Sequence, residues 1–444
     1  MGHKYLQHYR ETLKLGLPMV VGQVGVIVLG FADTVMVGHY DTASLAAASF
    51  VNNVFNLVIV ALLGFSYGIT PLIGALFARG EYEKAGREFR HALIANASFG
   101  VALTLVMGTL YFFLDRFGQP EELLPLIRSY YLTILASVVF VAWFNAMRQF
   151  TDSLTRTSVG MWILLFGNVF NICFNYLLIF GKFGFPELGL LGAGISTLGA
   201  RMAMVVVCSI YLWRRSVFAP YRTGFLRART AMADLRRIVG VSLPVSLQMG
   251  METGTFSISA VMAGWLGTVA LASYQVLMTI GTLGFMFYYS IGAAVAIRVS
   301  AFMGKGDAAN VRSGTWAGYH LLLMLAAVVS LVFYVFSDSL ISLFTEDEAV
   351  VVAASALILP LIAYQFGDAT QVCFANALRG TARVASMVWI AFFSYMAVGI
   401  PCSYLLGFVF SLGTKGLFYS FAVSLFMAAA LFLRQFMHAS RKCV

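Results

Sequence analysis

From Met161 to Phe180 the chain contains no charged side chain, and Ala317 to Phe336 contains only His320. Leu123 to Ala146 carries one charge, Arg128. A helix needs about 20 predominantly apolar residues to cross the hydrocarbon core of a bilayer. Twelve such runs follow one another, at about 10–37, 46–75, 91–113, 124–149, 158–180, 190–213, 238–263, 269–298, 315–336, 350–376, 385–408 and 416–436. Lipid offers no partners for backbone N–H and C=O groups, so runs of this length are expected to be helices. The fold expected is all-α and integral to the membrane, with twelve transmembrane helices. Composition agrees: 60% of residues are hydrophobic and 11% charged, too little polar surface to solubilise a core. The basic, polar start from Met1 to Lys14 precedes an apolar run long enough to stay as a helix rather than act as a cleaved signal.

The net charge of +10 invites an anionic partner such as nucleic acid, but its distribution points elsewhere. With the N-terminus inside, most basic residues fall on the cytoplasmic side. They include Arg79, Lys84, Arg87 and Arg90, the stretch from Arg214 to Arg237, and Arg434, Arg441 and Lys442. The other side has Arg116, Arg128, Lys182 and Lys415, with Glu346, Asp347 and Glu348 unopposed. That is the positive-inside pattern with both termini cytoplasmic, and no nucleic-acid partner is expected. Cys173, Cys208, Cys373, Cys402 and Cys443 show no paired spacing, so neither a disulfide frame nor a metal motif is implied.

The chain repeats itself. At a shift of 226 positions Leu17-Pro18 falls on Leu243-Pro244, and Val35-Met36-Val37-Gly38 on Val261-Met262-Ala263-Gly264. In the same register Leu45-Ala46 falls on Leu271-Ala272, and the loop Arg79-Gly80-Glu81 on Lys305-Gly306-Asp307. Each half has six helices, an even number, so both insert the same way up. This is a parallel repeat about an axis along the membrane normal, and such folds place substrate between the halves. The boundaries expected are an N-terminal six-helix bundle at 1–213, a cytoplasmic linker at 214–237 and a C-terminal six-helix bundle at 238–444.

An ionisable side chain inside a span is costly and is a functional candidate by default. On the seventh helix Gln248, Glu252, Thr255 and Ser259 share a face, and on the tenth Tyr364, Asp368 and Gln371 do so. These carboxylates, flanked by neutral oxygen groups, can bind Na⁺ or carry a proton, or can hold helices together through polar pairing. In the first half Asp33 lies toward the outer end of helix one, and Asn168, Asn171 and Asn175 share a face of helix five. Asn52, Asn53 and Asn56 on helix two are candidates for lining a path or for packing. Arg201 is the base read as lying deep in a span. At the 226 shift Asp33 falls on Ser259 and Glu252 on Val26, so two chemically distinct polar sites are expected, one per half. Pro18, Pro71, Pro244, Pro360 and Pro401 fall within spans, where each permits a bend.

Gly30-Phe31-Ala32-Asp33-Thr34-Val35-Met36-Val37-Gly38, the segment Asn171 to Thr197, Gly250-Met251-Glu252, and Tyr364 to Gln371 leading to Leu378-Arg379-Gly380 closely resemble the multidrug and toxic compound extrusion (MATE) family, its NorM-like branch in particular. The resemblance covers nearly the whole chain. It implies two pseudo-symmetric six-helix bundles forming a central V-shaped cleft. It also implies a secondary active antiporter that exports cationic, lipophilic drugs or toxic compounds in exchange for inward Na⁺ or H⁺. By the same resemblance Glu252, Tyr364 and Asp368 match the cation site of the second bundle, the only metal site expected. Asp33, Asn171, Asn175 and Thr197 match the polar site of the first, while Gln248, Thr255, Gln371 and Asn52 are candidates for lining the substrate path. Some members carry a second acid where this chain has Asn175, which shifts the expected ion coupling to Glu252 and Asp368. No cofactor beyond the coupling ion is implied, and the setting is a monomer in a bacterial cytoplasmic membrane.

Three rival readings remain, one of them a passive channel, which would not need acids placed off-centre in separate halves. A lipid-linked saccharide flippase can use a similar scaffold but calls for a strongly basic cleft. An intramembrane enzyme needs a nucleophile–base pair or a metal cluster within the spans, and none is evident, so the chain is not expected to be an enzyme.

Overall fold

A computed structural model describes residues 2–441, with side chains from Tyr5 onward. Lys442 and Cys443, counted above among the basic residues and the cysteines, lie outside the described residues. Every regular element described is helical. The membrane helices are α1 (Gly2–Tyr40), α2 (Thr42–Ala78), α3 (Tyr82–Tyr111), α4 (Glu121–Ser153), α5 (Thr157–Ile179), α6 (Gly189–Arg214), α7 (Met232–Trp265), α8 (Thr268–Gly304), α9 (Ala308–Val335), α10 (Ile358–Gly380), α11 (Ala385–Val409) and α12 (Thr414–Arg441).

Ten of these pass a length-and-hydropathy test for a membrane span, and α10 passes together with the preceding helix Glu348–Ser355. Helix α7 does not pass. It has 34 residues, about 51 Å of helix at 1.5 Å per residue, so length is not its deficit. Gln248, Glu252, Thr253, Thr255, Ser257 and Ser259 lower its hydropathy. The twelfth span is thus recognised by length and by the repeat, because its composition is set by its polar face.

Local chemistry fixes the breaks between helices. Asp41 caps α2, accepting from the Ser44 N–H at 2.8 Å and the Ser44 hydroxyl at 3.0 Å, and those donors hold its carboxyl below the usual range. The repeated basic-Gly-acidic loops turn alike: Gly80 has φ +75° and Gly306 φ +70°, a region where glycine carries no steric cost. Helix α10 follows its short predecessor at a bend of 47°, and Pro360 sits just inside its first turn. Pro71 and Pro401 lie near the starts of helical segments, whereas Pro18 and Pro244 lie inside continuous helices.

The chain divides into two compact units, Val21–Ser246 and Met1–Val20 with Leu247–Val444. Both divisions fall inside a helix, at positions one repeat apart and each two residues after the repeated proline. The first turns of α1 therefore belong with the second half, and those of α7 with the first. Matching contacts secure both. A β-carbon at Gly68 of α2 would lie 2.5 Å from the Cα of Ser242 in α7, and one at Gly16 of α1 would lie 2.6 Å from Ile291 Cδ1 and 3.6 Å from Ala294 Cβ in α8. Gly16 and Ser242 are repeat equivalents, as are Gly68 and Ala294. Ser246 also donates to the Ala61 carbonyl at 2.8 Å, and Arg298 donates to Thr12 Oγ1 at 2.7 Å.

The stretch expected to serve as a linker lies within the first unit and is docked there. Its helix Ala219–Arg227 crosses α3 at two glycines: a β-carbon at Gly86 would overlap the Tyr221 carbonyl oxygen, and one at Gly224 the Glu83 carbonyl oxygen. Arg90 donates to the Phe225 carbonyl at 3.2 Å, and Arg237 is paired with Glu88. Replacing Gly86 or Gly224 by Val is expected to cost about 1–3 kcal/mol, the usual penalty for overpacking. The checks are a lower thermal midpoint in detergent and faster tryptic cleavage at Arg227 and Arg229. Unchanged cleavage in both variants would contradict the docking.

Candidate functional site

Each unit holds one of the two polar sets singled out in the sequence. In the unit containing Leu247–Val444, Glu252 on α7 accepts from Gln248 Nε2 at 2.8 Å, one turn earlier on the same helix, and from Gln371 Nε2 of α10 at 3.2 Å. Gln371 also donates to the Tyr395 hydroxyl at 2.5 Å. Tyr395 lies in a π-helical segment of α11, Phe392–Gly399, a widened turn often found at functional sites. Gln248, Gln371 and Tyr395 are all buried, whereas Glu252 is only partly so.

Asp368, one turn from Gln371 on α10, is 4% exposed. Its side chain makes no hydrogen bond or ion pair among the described residues, and its Oδ1 is buried without a partner. The charge of Glu252 acts on it directly. Tyr364 sits one turn below, its ring against Phe418 and Phe421 at centroid distances of 6.1 and 6.2 Å. A β-carbon at Gly281 of α8 would overlap its hydroxyl, so a side chain there would displace the tyrosine. The oxygens of Gln248 and Gln371 not turned toward Glu252 are also buried and unpaired, as is the Tyr288 hydroxyl. Buried acceptors without donors are costly, and hard cations or protons satisfy this kind of set. No group of three or more His, Cys, Asp or Glu suited to a transition metal occurs among the described residues.

In the unit Val21–Ser246, Asp33 accepts from Asn175 Nδ2 at 2.6 Å, and Asn175 also donates to Asn171 Oδ1 at 3.0 Å. Asn171 in turn meets Thr197 Oγ1 at 3.2 Å. Asn171 and Asn175 are buried. Arg201, one turn beyond Thr197 on α6, donates to Ser137 at 2.5 Å, and its charge reaches Asp33 and Tyr130. Tyr130 donates to Asn52 at 3.3 Å. This acid is therefore held by amides, with a nearby arginine, on α1, α5 and α6. Glu252 is held by glutamines on α7 and α10. Ser259, the repeat equivalent of Asp33, is fully buried with an unpaired hydroxyl.

The structure brings together Glu252, Gln248, Gln371 and Asp368, and separately Asp33, Asn171, Asn175 and Thr197. Of the path-lining candidates, Gln248, Thr255 and Gln371 are buried and Asn52 is exposed. Asn53 and Asn56 are exposed, and Asn168 lies against Gly25 of α1. Sequence reasoning passed over Tyr395 and Tyr288, and over Tyr130 and Ser137, which share a helix face with Thr133 at i, i+3, i+7. It also placed only Arg201 deep in a span, yet Arg148 and Arg379 are 7% and 2% exposed. Arg148 lies 3.7 Å from Asp152. Both arginines sit near helix ends, where a hydropathy boundary hides burial. Cys208 and Cys373 are buried while Cys173 is exposed.

A family model described as MatE matches residues 18–177 and 244–405, two segments that begin 226 positions apart, as the repeat does. The chain is 29% identical to the multidrug resistance protein NorM of Vibrio cholerae over 98% of its own length and 96% of that protein. It is 28% identical to the multidrug resistance protein MdtK of Pectobacterium atrosepticum over 99% and 97%. The fold is similar to that of a eukaryotic MATE transporter, AtDTX14, with TM-score 0.86, 18% identity, and 99% and 100% of the two chains covered. It is also similar to a multidrug resistance MATE family transporter in an outward-facing conformation, with TM-score 0.88, 19% identity, and 98% and 96% covered.

The bonding pattern separates the two members of the second cluster by stability. Gln371→Leu strands the Tyr395 hydroxyl and removes a donor from Glu252, at an expected cost of about 1–3 kcal/mol. Asp368→Asn keeps shape and removes a buried charge that lacks a partner, so its thermal midpoint in detergent should equal or exceed the parent's. An Asp368→Asn variant less stable than Gln371→Leu would mean that the carboxylate is structurally paired.

Proposed function

The chain belongs to the MATE family, and on that premise we propose that it is a secondary active antiporter exporting cationic, lipophilic drugs or toxic compounds in exchange for inward Na⁺ or H⁺. Coupling runs through Glu252 and Asp368. The observation that carries this reading is Asp368: a buried carboxylate with no hydrogen bond, within electrostatic reach of a second carboxylate. Of the two, only Glu252 feels a nearby base, Arg379, and one arginine leaves one negative charge to be neutralised. In a low-dielectric interior two such acids repel strongly, so a monovalent cation or a proton arriving there stabilises the site by a large amount. The unpaired oxygens of Gln248 and Gln371, with the Tyr364 hydroxyl, supply the neutral oxygen ligands that replace an ion's water.

Export follows if ion and drug favour opposite states of the transporter. An ion can drive the change only through a difference in its affinity for the two states. A swing from 1:99 to 99:1 needs a difference of about 10⁴-fold, and pairing with a buried carboxylate exposed to water in one state only is an interaction of that scale. Phe and Met, 39 and 20 in number, suit an adaptable apolar path for organic cations. The first-unit cluster around Asp33, where an arginine lies near the acid, serves as a separate polar site rather than the main ion site. The protein acts as a monomer in a bacterial cytoplasmic membrane with both termini inside.

The test is efflux of a fluorescent organic cation from vesicles under an imposed Na⁺ or pH gradient. Glu252→Gln and Asp368→Asn should each lower gradient-driven efflux by about 10-fold or more, the effect of about 1.4 kcal/mol of lost coupling. Asp33→Asn should lower it less. Full efflux in all three variants would remove the site assignment, and failure of either gradient to move any organic cation would remove the exporter reading.

A further inference from the structure

A cavity of about 460 Å³ opens in the unit Val21–Ser246 where four elements end together: α2, the start of α3, the α4–α5 turn and the docked helix Ala219–Arg227. Its walls are the rings of Phe77, Tyr82 and Tyr221 with Val217, its floor is the buried Leu154, and Arg156 stands at its rim. The Tyr82 and Tyr221 rings lie 5.4 Å apart in an edge contact. No carboxylate lines the cavity. Of the acids closest in sequence, Glu81 pairs with Lys84 at 2.6 Å and Asp152 lies 3.7 Å from Arg148, while Glu83 is exposed and does not line the cavity.

Comparison of the two halves isolates Arg156. The α4–α5 turn is made by Thr155 at φ +61°, and the α10–α11 turn by Ala382 at φ +61°. These are repeat equivalents at a shift of 227, so Arg156 corresponds to Arg383. Arg383 donates to the Ala439 carbonyl of α12 at 3.1 Å. Arg156 is exposed and its side chain makes no hydrogen bond or ion pair among the described residues, and its charge reaches Tyr221. The same turn thus presents a satisfied arginine in one half and a free one over an aromatic cavity in the other.

We propose that this cavity is a binding site for the headgroup of an anionic phospholipid, with Arg156 holding the phosphate and the three rings covering the glycerol and first acyl carbons. Sites for small molecules run from about 300 to 1,000 Å³, so the cavity takes a headgroup and not a whole lipid. It lies at the ends of membrane helices, the depth of the phosphate layer, where aromatic side chains are at home. An organic cation would be drawn to the rings but repelled by Arg156 and by the basic residues Arg79, Arg214 and Arg215 at neighbouring helix ends. Guanidinium donors match phosphate geometry in pairs, and this one is unspent. The site lies in the other unit from Glu252 and Asp368, so its occupancy is read independently of ion coupling.

The test is thermal unfolding of the delipidated protein in detergent with added phosphatidylglycerol, phosphatidylcholine or inorganic phosphate, with bound lipid counted by native mass spectrometry. Phosphatidylglycerol should raise the midpoint by about 3 °C and leave one retained lipid, while phosphatidylcholine and inorganic phosphate should do neither. Arg156→Gln should abolish the shift and the retained lipid. Val217→Trp, which fills the cavity and leaves every charge in place, should do the same. Arg227→Gln, a charge change on the same docked helix away from the cavity, should change neither. An equal loss in Arg227→Gln would show diffuse attraction to basic residues and overturn the proposal, as would retention of the shift in Val217→Trp. An equal shift with inorganic phosphate would overturn it in favour of a free-anion site.

Discussion

Acyl chains are as apolar as leucine, so no hydrophobic force draws helices together inside a bilayer, and close packing and polar contacts must do it instead. In this protein several close approaches between helices are made at glycine, where a β-carbon would meet a neighbouring segment. Gly68 admits the start of α7, Gly16 admits α8 against the start of α1, and Gly86 with Gly224 lock the basic connecting stretch onto α3. Each approach brings backbone within reach of backbone or a large side chain, and each would be lost with a bulkier residue. The assignment of helix ends to units, the docked connection and the cavity beneath it all follow from these few contacts.

The repeated prolines take on meaning in the same frame. Pro18 and Pro244 each precede the position where one helix passes from one compact unit to the other. A proline removes an i→i−4 hydrogen bond and loosens the helix there. Two helices that each belong to both units, weakened at equivalent points, link the halves covalently through backbone rather than through a flexible connection. The switch between states proposed for export has natural points of bending at these two places.

The polar clusters obey the cost of burying charge. Where a buried acid is held by amides with an arginine within electrostatic reach, as at Asp33, its environment is largely satisfied. Where Glu252 alone has an arginine within electrostatic reach and Asp368 has none, with unpaired oxygens close by, the protein carries an unmet requirement, which on the proposed reading a cation or proton fulfils. Desolvation of an unpaired charge costs several kcal/mol, and on the proposed reading the missing partner is the transported ion. The repeat duplicated the scaffold but not this chemistry: the equivalents of Asp33 and Glu252 are Ser259 and Val26.

Much of this was legible in the residues. Charge-free runs announce helices because lipid leaves the backbone no other choice, and the 226-residue repeat announces two similar halves because matching loops and prolines survive at fixed spacing. The stripe from Gln248 to Ser259 and the set Tyr364, Asp368 and Gln371 were visible because helical spacing puts polar groups on one face. Tyr395 was not, since a hydroxyl in an apolar helix is indistinguishable from any other until a partner from a distant helix meets it, and the hydroxyls of Tyr130, Thr133 and Ser137 carry no charge to mark their shared face. The handover of α1 and α7 between units was equally hidden. Spacing along a chain determines which residues share a helix face, but which faces meet is decided by packing between segments hundreds of residues apart, and only the tertiary structure settles that.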